Sequence, residues 1–148
     1  MNEFKPFDDR LAGLIAALSP ASRRRMATDI AKTLRTRQQR RIKTQKAPDG
    51  TPYAARKRQP VRAKKGRVKR EMFAKLRTNR FMKATGRYDA AVVEFTGKVQ
   101  RIAKVHHYGL KDRPNPHSPG VQYSERDLLG FNQSDESLIK HLIIKNLG

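Results

Sequence analysis

Between Ser19 and Thr44 the apolar residues Met26, Ile30, Leu34 and Ile42, with Ala27 and Ala31 beside them, fall on one helical stripe. The remaining faces carry Arg23, Arg24, Arg25, Arg35, Arg37, Arg40 and Arg41. A narrow apolar stripe with charge on the other faces indicates a long amphipathic helix running to about Thr44. Ser19 is the expected N-cap and Pro20 the first helical residue, because a serine oxygen accepts an orphan N–H and proline needs none. The helix is expected to stop before Pro48-Asp49-Gly50, a turn signature.

A shorter helix is expected ahead of it, with Leu11, Leu14, Ile15 and Leu18 on one face and Asp8 and Asp9 in its first turn. Residues 47–66 hold prolines, glycines and cations but little that is apolar beyond Tyr53 and Val61, and read as a long loop. Arg67 to Leu76 is expected to form a short helix with Met72, Phe73 and Leu76 inward, and "NRFMKATG" to run extended into Gly86. "AAVVEFTGKVQRIAKVHHYG" reads as a β-hairpin turning at Gly97-Lys98, with Val93 and Phe95 on one face. After a second proline-rich loop, "KDRPNPHSPG", the run "VQYSERDLLGF" is expected to be a strand. Ser134 with Asp135 and Glu136 opens a last helix, with Leu138, Ile139, Leu142, Ile143 and Leu147 as its apolar positions. Helices, then strands, then a helix indicate an α+β fold: one long amphipathic helix, a small antiparallel sheet and a C-terminal helix. At 148 residues, one domain spanning 1–148 is expected.

Charge is the other constraint. The formal net charge is +21. Residues 51–85 carry 13 Lys and Arg against one acid, whereas 86–148 carry 9 against 7. At the centre lies "RKRQPVRAKKGRVKR", with Arg56, Lys57, Arg58, Arg62, Lys64, Lys65, Arg67, Lys69 and Arg70 and no acid. Such a segment favours a polyanion or an acidic protein surface. As a nucleic-acid arm it would make salt-sensitive phosphate contacts without reading sequence. Yet only Tyr53 and Phe73 flank it, so there is no stacking platform, and no zinc-finger, bZIP or RNA-binding-sheet pattern accompanies it. Charge alone leaves a nucleic-acid partner and a protein-facing surface both open.

Chemistry has less to build on. The chain has no cysteine, which excludes disulfides and thiolate ligands and fits a reducing compartment. No apolar run is long enough to span a bilayer, and the acidic N-terminus "MNEFKPFDDRLAGL" does not read as a signal peptide. His106 and His107, on the expected strand, point to opposite faces, while His117 and His141 stand apart, so no metal site and no cofactor is expected. Glu94 and Lys98 lack the spacing of a metal-dependent nuclease core, and no G-x-S-x-G or phosphate-cradling loop occurs. An enzyme is not indicated.

Short motifs then add a resemblance. "APDGTPYAARK", "KATG", "VHHYGL" and "RDLLGF", in this order and spacing, resemble the tail-completion or virion morphogenesis family of tailed phages, over essentially the whole chain. The family's steps correspond to Gly50, Pro52 and Tyr53; to Thr85 and Gly86; to His106, Tyr108 and Gly109; and to Arg126, Leu129 and Gly130, with Asp127 where many members have proline. The resemblance implies architectural rather than catalytic roles for them, with His106 and an aromatic closing the hairpin onto the helices. It also implies a structural virion protein, assembled in the host cytoplasm, that completes the head-proximal end of the tail for head–tail joining. A ring following the tail's six-fold symmetry is expected, with the tail terminator, tail tube or connector as partners, and genomic DNA as a second contact. On that view Arg56–Arg70 is an assembly arm ordered by a neighbour.

Overall fold

The computed structural model describes residues 5–56, 71–113 and 116–147, with side chains from Asp8 onward. Among the described residues four helices and two small antiparallel sheets give the expected α+β class. Helix α1 (Lys5–Ala16) leads through a tight turn into α2 (Pro20–Lys43). Ser19 caps α2 as expected, its hydroxyl accepting the Ser22 N–H at 3.1 Å, and Pro20 starts the helix. The turn after α2 also forms where expected: Gly50 donates its N–H to the Ala47 carbonyl and has a φ of +90°, which a glycine adopts without strain.

Strands β1 (Met82–Gly86) and β2 (Ala91–Phe95) form an antiparallel hairpin, in register from Met82 opposite Phe95 to Gly86 opposite Ala91. Their turn is closed by the Arg87 N–H on the Ala90 carbonyl at 2.7 Å. The hairpin is thus made with the preceding strand and not across Gly97-Lys98. Residues beyond Thr96 turn immediately into α3 (Gln100–Tyr108), which ends on Gly109 at a φ of +65°. The reason is spacing: Val99 and Ala103, one helical turn apart, are both buried. β-Branched content suggested a strand here, and the four-residue repeat prevailed.

Two further expectations are corrected. In the described part of Arg67–Leu76, residues 72–76 make turns rather than a helix, and Phe73 sits at a φ of +67°, incompatible with helical continuation. Of "VQYSERDLLGF" only Val121–Gln122 is a strand, β4, paired with β3 (Lys111–Asp112). The remainder is held irregularly along the end of α3, with the Arg126 N–H on the His106 carbonyl and the Leu128 N–H on His107 Nδ1. Helix α4 (Gln133–Leu147) closes the chain. Its cap is Asn132 rather than Ser134: Asn132 Oδ1 accepts the Asp135 N–H at 2.9 Å, and Asp135 Oδ2 accepts the Asn132 N–H at 3.1 Å.

The interior forms two clusters. Met26, Ile30 and Leu34 of α2 meet Leu142 of α4 in one. The other gathers Ile42, Leu76, Met82, Phe95, Val99, Ala103 and Leu128, bringing together the end of α2, the hairpin, α3 and the 121–130 segment. Burying Ile42, Met82 and Leu128 completely is worth about 2 kcal/mol each. Gly86 sets how closely β1 lies on α2, because a Cβ there would overlap the Thr28 backbone nitrogen and hydroxyl. Among the described residues no helix is long and apolar enough to cross a membrane.

Candidate functional site

Of the cationic segment Arg56 is described, and the described chain resumes at Glu71; Lys57, Arg58, Arg62, Lys64, Lys65, Arg67, Lys69 and Arg70 lie outside the described residues. What the structure does show is how its two roots are fixed. On the outgoing side the chain bends through the Gly50 turn, and Pro52 bridges to Lys46. Tyr53 then donates its N–H to the Gln45 carbonyl at 2.8 Å and its hydroxyl to the Asp127 carbonyl at 2.9 Å. Burial, with the Asp127 carboxylate nearby, pushes the Tyr53 phenol up to about 12 against the opposing influence of Arg41. Beyond Tyr53, Arg126 takes over. Its Nε donates to the Ala54 carbonyl at 2.9 Å and its Nη2 to the Ala55 carbonyl at 3.1 Å.

On the returning side the clamp is Gln45, held at a φ of +61° just past α2. Its side-chain amide donates to the Met72 carbonyl at 2.9 Å and accepts the Met72 N–H at 3.0 Å, as a neighbouring strand would. Between the two roots runs a row of edge-to-face rings: Tyr53 on Phe73 at 5.6 Å, Phe73 on His106 at 5.1 Å, and His106 on Tyr123 at 4.8 Å. Each such contact adds about 1 kcal/mol beyond burial. Burial, reinforced by the Arg126 charge, pulls the His106 imidazole below its ordinary pKa, so at neutral pH it packs as an uncharged ring. Alongside this row lies a groove of about 610 Å³, bordered by Arg56 and Glu71 at its rim and by Arg126, Phe73, Ile102 and Tyr123 within.

The other motif residues have structural surroundings. Thr85 is exposed and pairs with Val92, while Gly86 contacts α2. At Gly109 a Cβ would lie 2.8 Å from the Glu125 nitrogen, so only glycine lets the 121–130 segment approach α3. Gly130 accepts hydrogen bonds from Gln38 Nε2 at 2.8 Å and Arg41 Nη1 at 3.1 Å, and a Cβ there would press on Pro48. Leu129 is half-buried beside the fully buried Leu128. Tyr108 is 59% exposed, its ring edge against His107; with α3 in place of a strand there is no hairpin here for it or His106 to close. Among the described residues no group of three or more acidic or histidine side chains is placed to hold a metal ion.

The sequence matches the phage virion morphogenesis family over residues 2–148. The chain belongs to that family. It is similar to tail completion protein S of Escherichia phage P2, being 51% identical over 148 residues that cover 99% of each chain. No solved structure matches it.

For this member of the virion morphogenesis family, sequence reasoning missed two groups. Gln45 is one, because nothing local in sequence marks a polar side chain whose role follows from left-handed backbone; Phe73, expected inward on a helix, packs inward but from left-handed backbone. Asp135 is the other, expected only as a helix-start acid matched to the dipole. It is fully buried and accepts from Arg37 Nε and Arg41 Nη2, both at 2.7 Å. The one available signal was the pairing of an isolated acid run with an arginine-rich helix.

Proposed function

We propose that this chain is a structural subunit of a phage tail, one that completes the head-proximal end so that the tail can join a filled head. The observation that carries this reading is the 51% identity to tail completion protein S across 99% of both chains. In this reading the protein works by shape and charge rather than by catalysis, as a ring subunit, a hexamer in step with the tail's symmetry. The segment 56–70 is its contact arm toward the tail terminator, tail tube or connector. Two features support that role: nine cations stand in fifteen residues without an acid, and both roots of the segment are tied to the body by side-chain-to-backbone hydrogen bonds. A charged arm on a fixed base can be ordered by an acidic neighbour with its entropy cost met at assembly.

The test replaces the nine lysines and arginines of 56–70 by glutamine in the full chain. The body is expected to keep its cooperative thermal unfolding, because none of the buried core residues is altered. Tails made without the native protein, supplied with this variant, are expected not to join heads. Restoration of infectivity by the neutralised chain would refute the arm.

A further inference from the structure

The groove beside the aromatic row holds a feature that neither folding nor the arm explains. Arg126 is only 7% exposed, yet its hydrogen bonds go to two uncharged carbonyls, and it forms no ion pair with any described residue. Of its five N–H donors these two bonds use one each from Nε and Nη2. Arg126 also lines the groove. A guanidinium this desolvated is normally matched by a carboxylate, because leaving a buried charge without a counter-ion is costly.

Among the described residues no acid supplies one. Glu71 at the rim pairs with Arg77 at 3.6 Å. Asp127 lies toward Tyr53, whose phenol its charge affects. The adjoining residues 57–70 contain no aspartate or glutamate at all. Arg56 and Lys75 add positive charge to the lining, and Ile102, 49% exposed, adds an apolar wall.

We propose that this groove docks a carboxylate carried by an apolar-flanked segment of an acidic protein partner, with Arg126 as the counter-charge and Phe73, Leu76, Ile102 and Tyr123 as the walls. The volume of about 610 Å³ accommodates a few side chains. A nucleic-acid backbone fits less well, since it gains affinity from many solvent-facing cations, whereas here one sunken guanidinium lies among apolar walls. A net charge of +21 draws such a partner in from a distance, and the groove then decides which acidic segment stays. The inference rests on the tail reading for where the partner sits, but not for the binding itself.

The experiment titrates the full chain at neutral pH with a pool of acetylated, amidated tripeptides having a central glutamate between apolar residues, and separately with the matched glutamine pool. Side-chain NMR resonances of His106, Tyr123 and Ile102 report occupancy. The glutamate pool is expected to shift them at concentrations roughly tenfold or more below the glutamine pool, the ratio a charge-assisted hydrogen bond gives. Arg126→Gln should abolish that difference. Because Arg126 also secures Ala54 and Ala55, Ile102→Glu is the second variant: it leaves the clamp untouched and should weaken the glutamate pool selectively. No shift, or equal response to the two pools, overturns the proposal. Inorganic phosphate matching the glutamate pool overturns it in favour of a phosphate site. Shifts that follow protein concentration without peptide overturn it in favour of a second copy of the chain. None of these outcomes depends on whether tails are completed.

Discussion

Replacing Asp135 by asparagine is expected to cost this protein about 3 kcal/mol at neutral pH. The carboxylate is fully buried, accepts from Arg37 and Arg41 at 2.7 Å each, and also accepts the Asn132 N–H. Asparagine keeps the shape but removes the charge, leaving the Arg41 side chain, 11% exposed, beside an amide. Breaking a buried pair costs about 3–5 kcal/mol. Arg37, at 31%, is partly solvated, so the low end applies. For a chain of 148 residues the unfolding entropy is about 0.3 kcal/mol/K, which converts this loss to a fall of about 10 °C in Tm. The pH dependence follows from the same contacts. Burial opposes the charge on Asp135, but hydrogen bonds from Arg37, Arg41 and Asn132 outweigh it and hold the carboxyl below its ordinary 3.8. A carboxyl lowered by folding contributes stability above its unfolded pKa and loses it as pH falls through the folded one. Urea denaturation followed by circular dichroism should therefore show the full gap at pH 7, narrowing progressively below about pH 4. A gap under about 1 kcal/mol at pH 7, or one that persists unchanged into acid, would refute a charge-based role.

Gly86→Ala should destabilise by about 3 kcal/mol, because the new methyl meets the Thr28 backbone and not a movable side-chain tip; a denaturation midpoint equal to wild type would contradict the packing. Phenolate absorbance should show one of the 4 tyrosines ionising near pH 12 in the folded protein, absent from Tyr53→Phe. A phenol raised by folding contributes stability below its unfolded pKa near 10, and that contribution should fade as pH climbs to about 12. Losing the bond to the Asp127 carbonyl should cost Tyr53→Phe about 1 kcal/mol by urea denaturation.

Elements with a local cause were readable in the sequence. The serine–proline start of α2, its apolar stripe, the Gly50 turn and the periodicity of α4 all rest on neighbours within a few positions. The elements misread depend on distant residues. Val92, Val93 and Phe95 announce a strand but not its partner, and the choice of β1 over the following segment is made by Gly86 fitting against Thr28. Val99 to Tyr108 mixes β-branched residues with helical spacing, and packing of Val99 and Ala103 in the interior decides for the helix. Arg126 was legible as a motif position, while its carbonyl clamp and its missing counter-charge require residues 54, 55 and 71 in place.

Helix α2 touches both hydrophobic clusters without interruption, through Met26, Ile30 and Leu34 toward one end and Ile42 at the other. At 1.5 Å per residue its 24 residues make a rod roughly 36 Å long. The rod thereby fixes the distance between the two clusters, and α4 braces it along its length, from Asp135 at Arg37 and Arg41 to Leu142 at Met26, Ile30 and Leu34. A proline placed midway along it, near the fully buried Ala31, would break that rod and loosen both clusters at once.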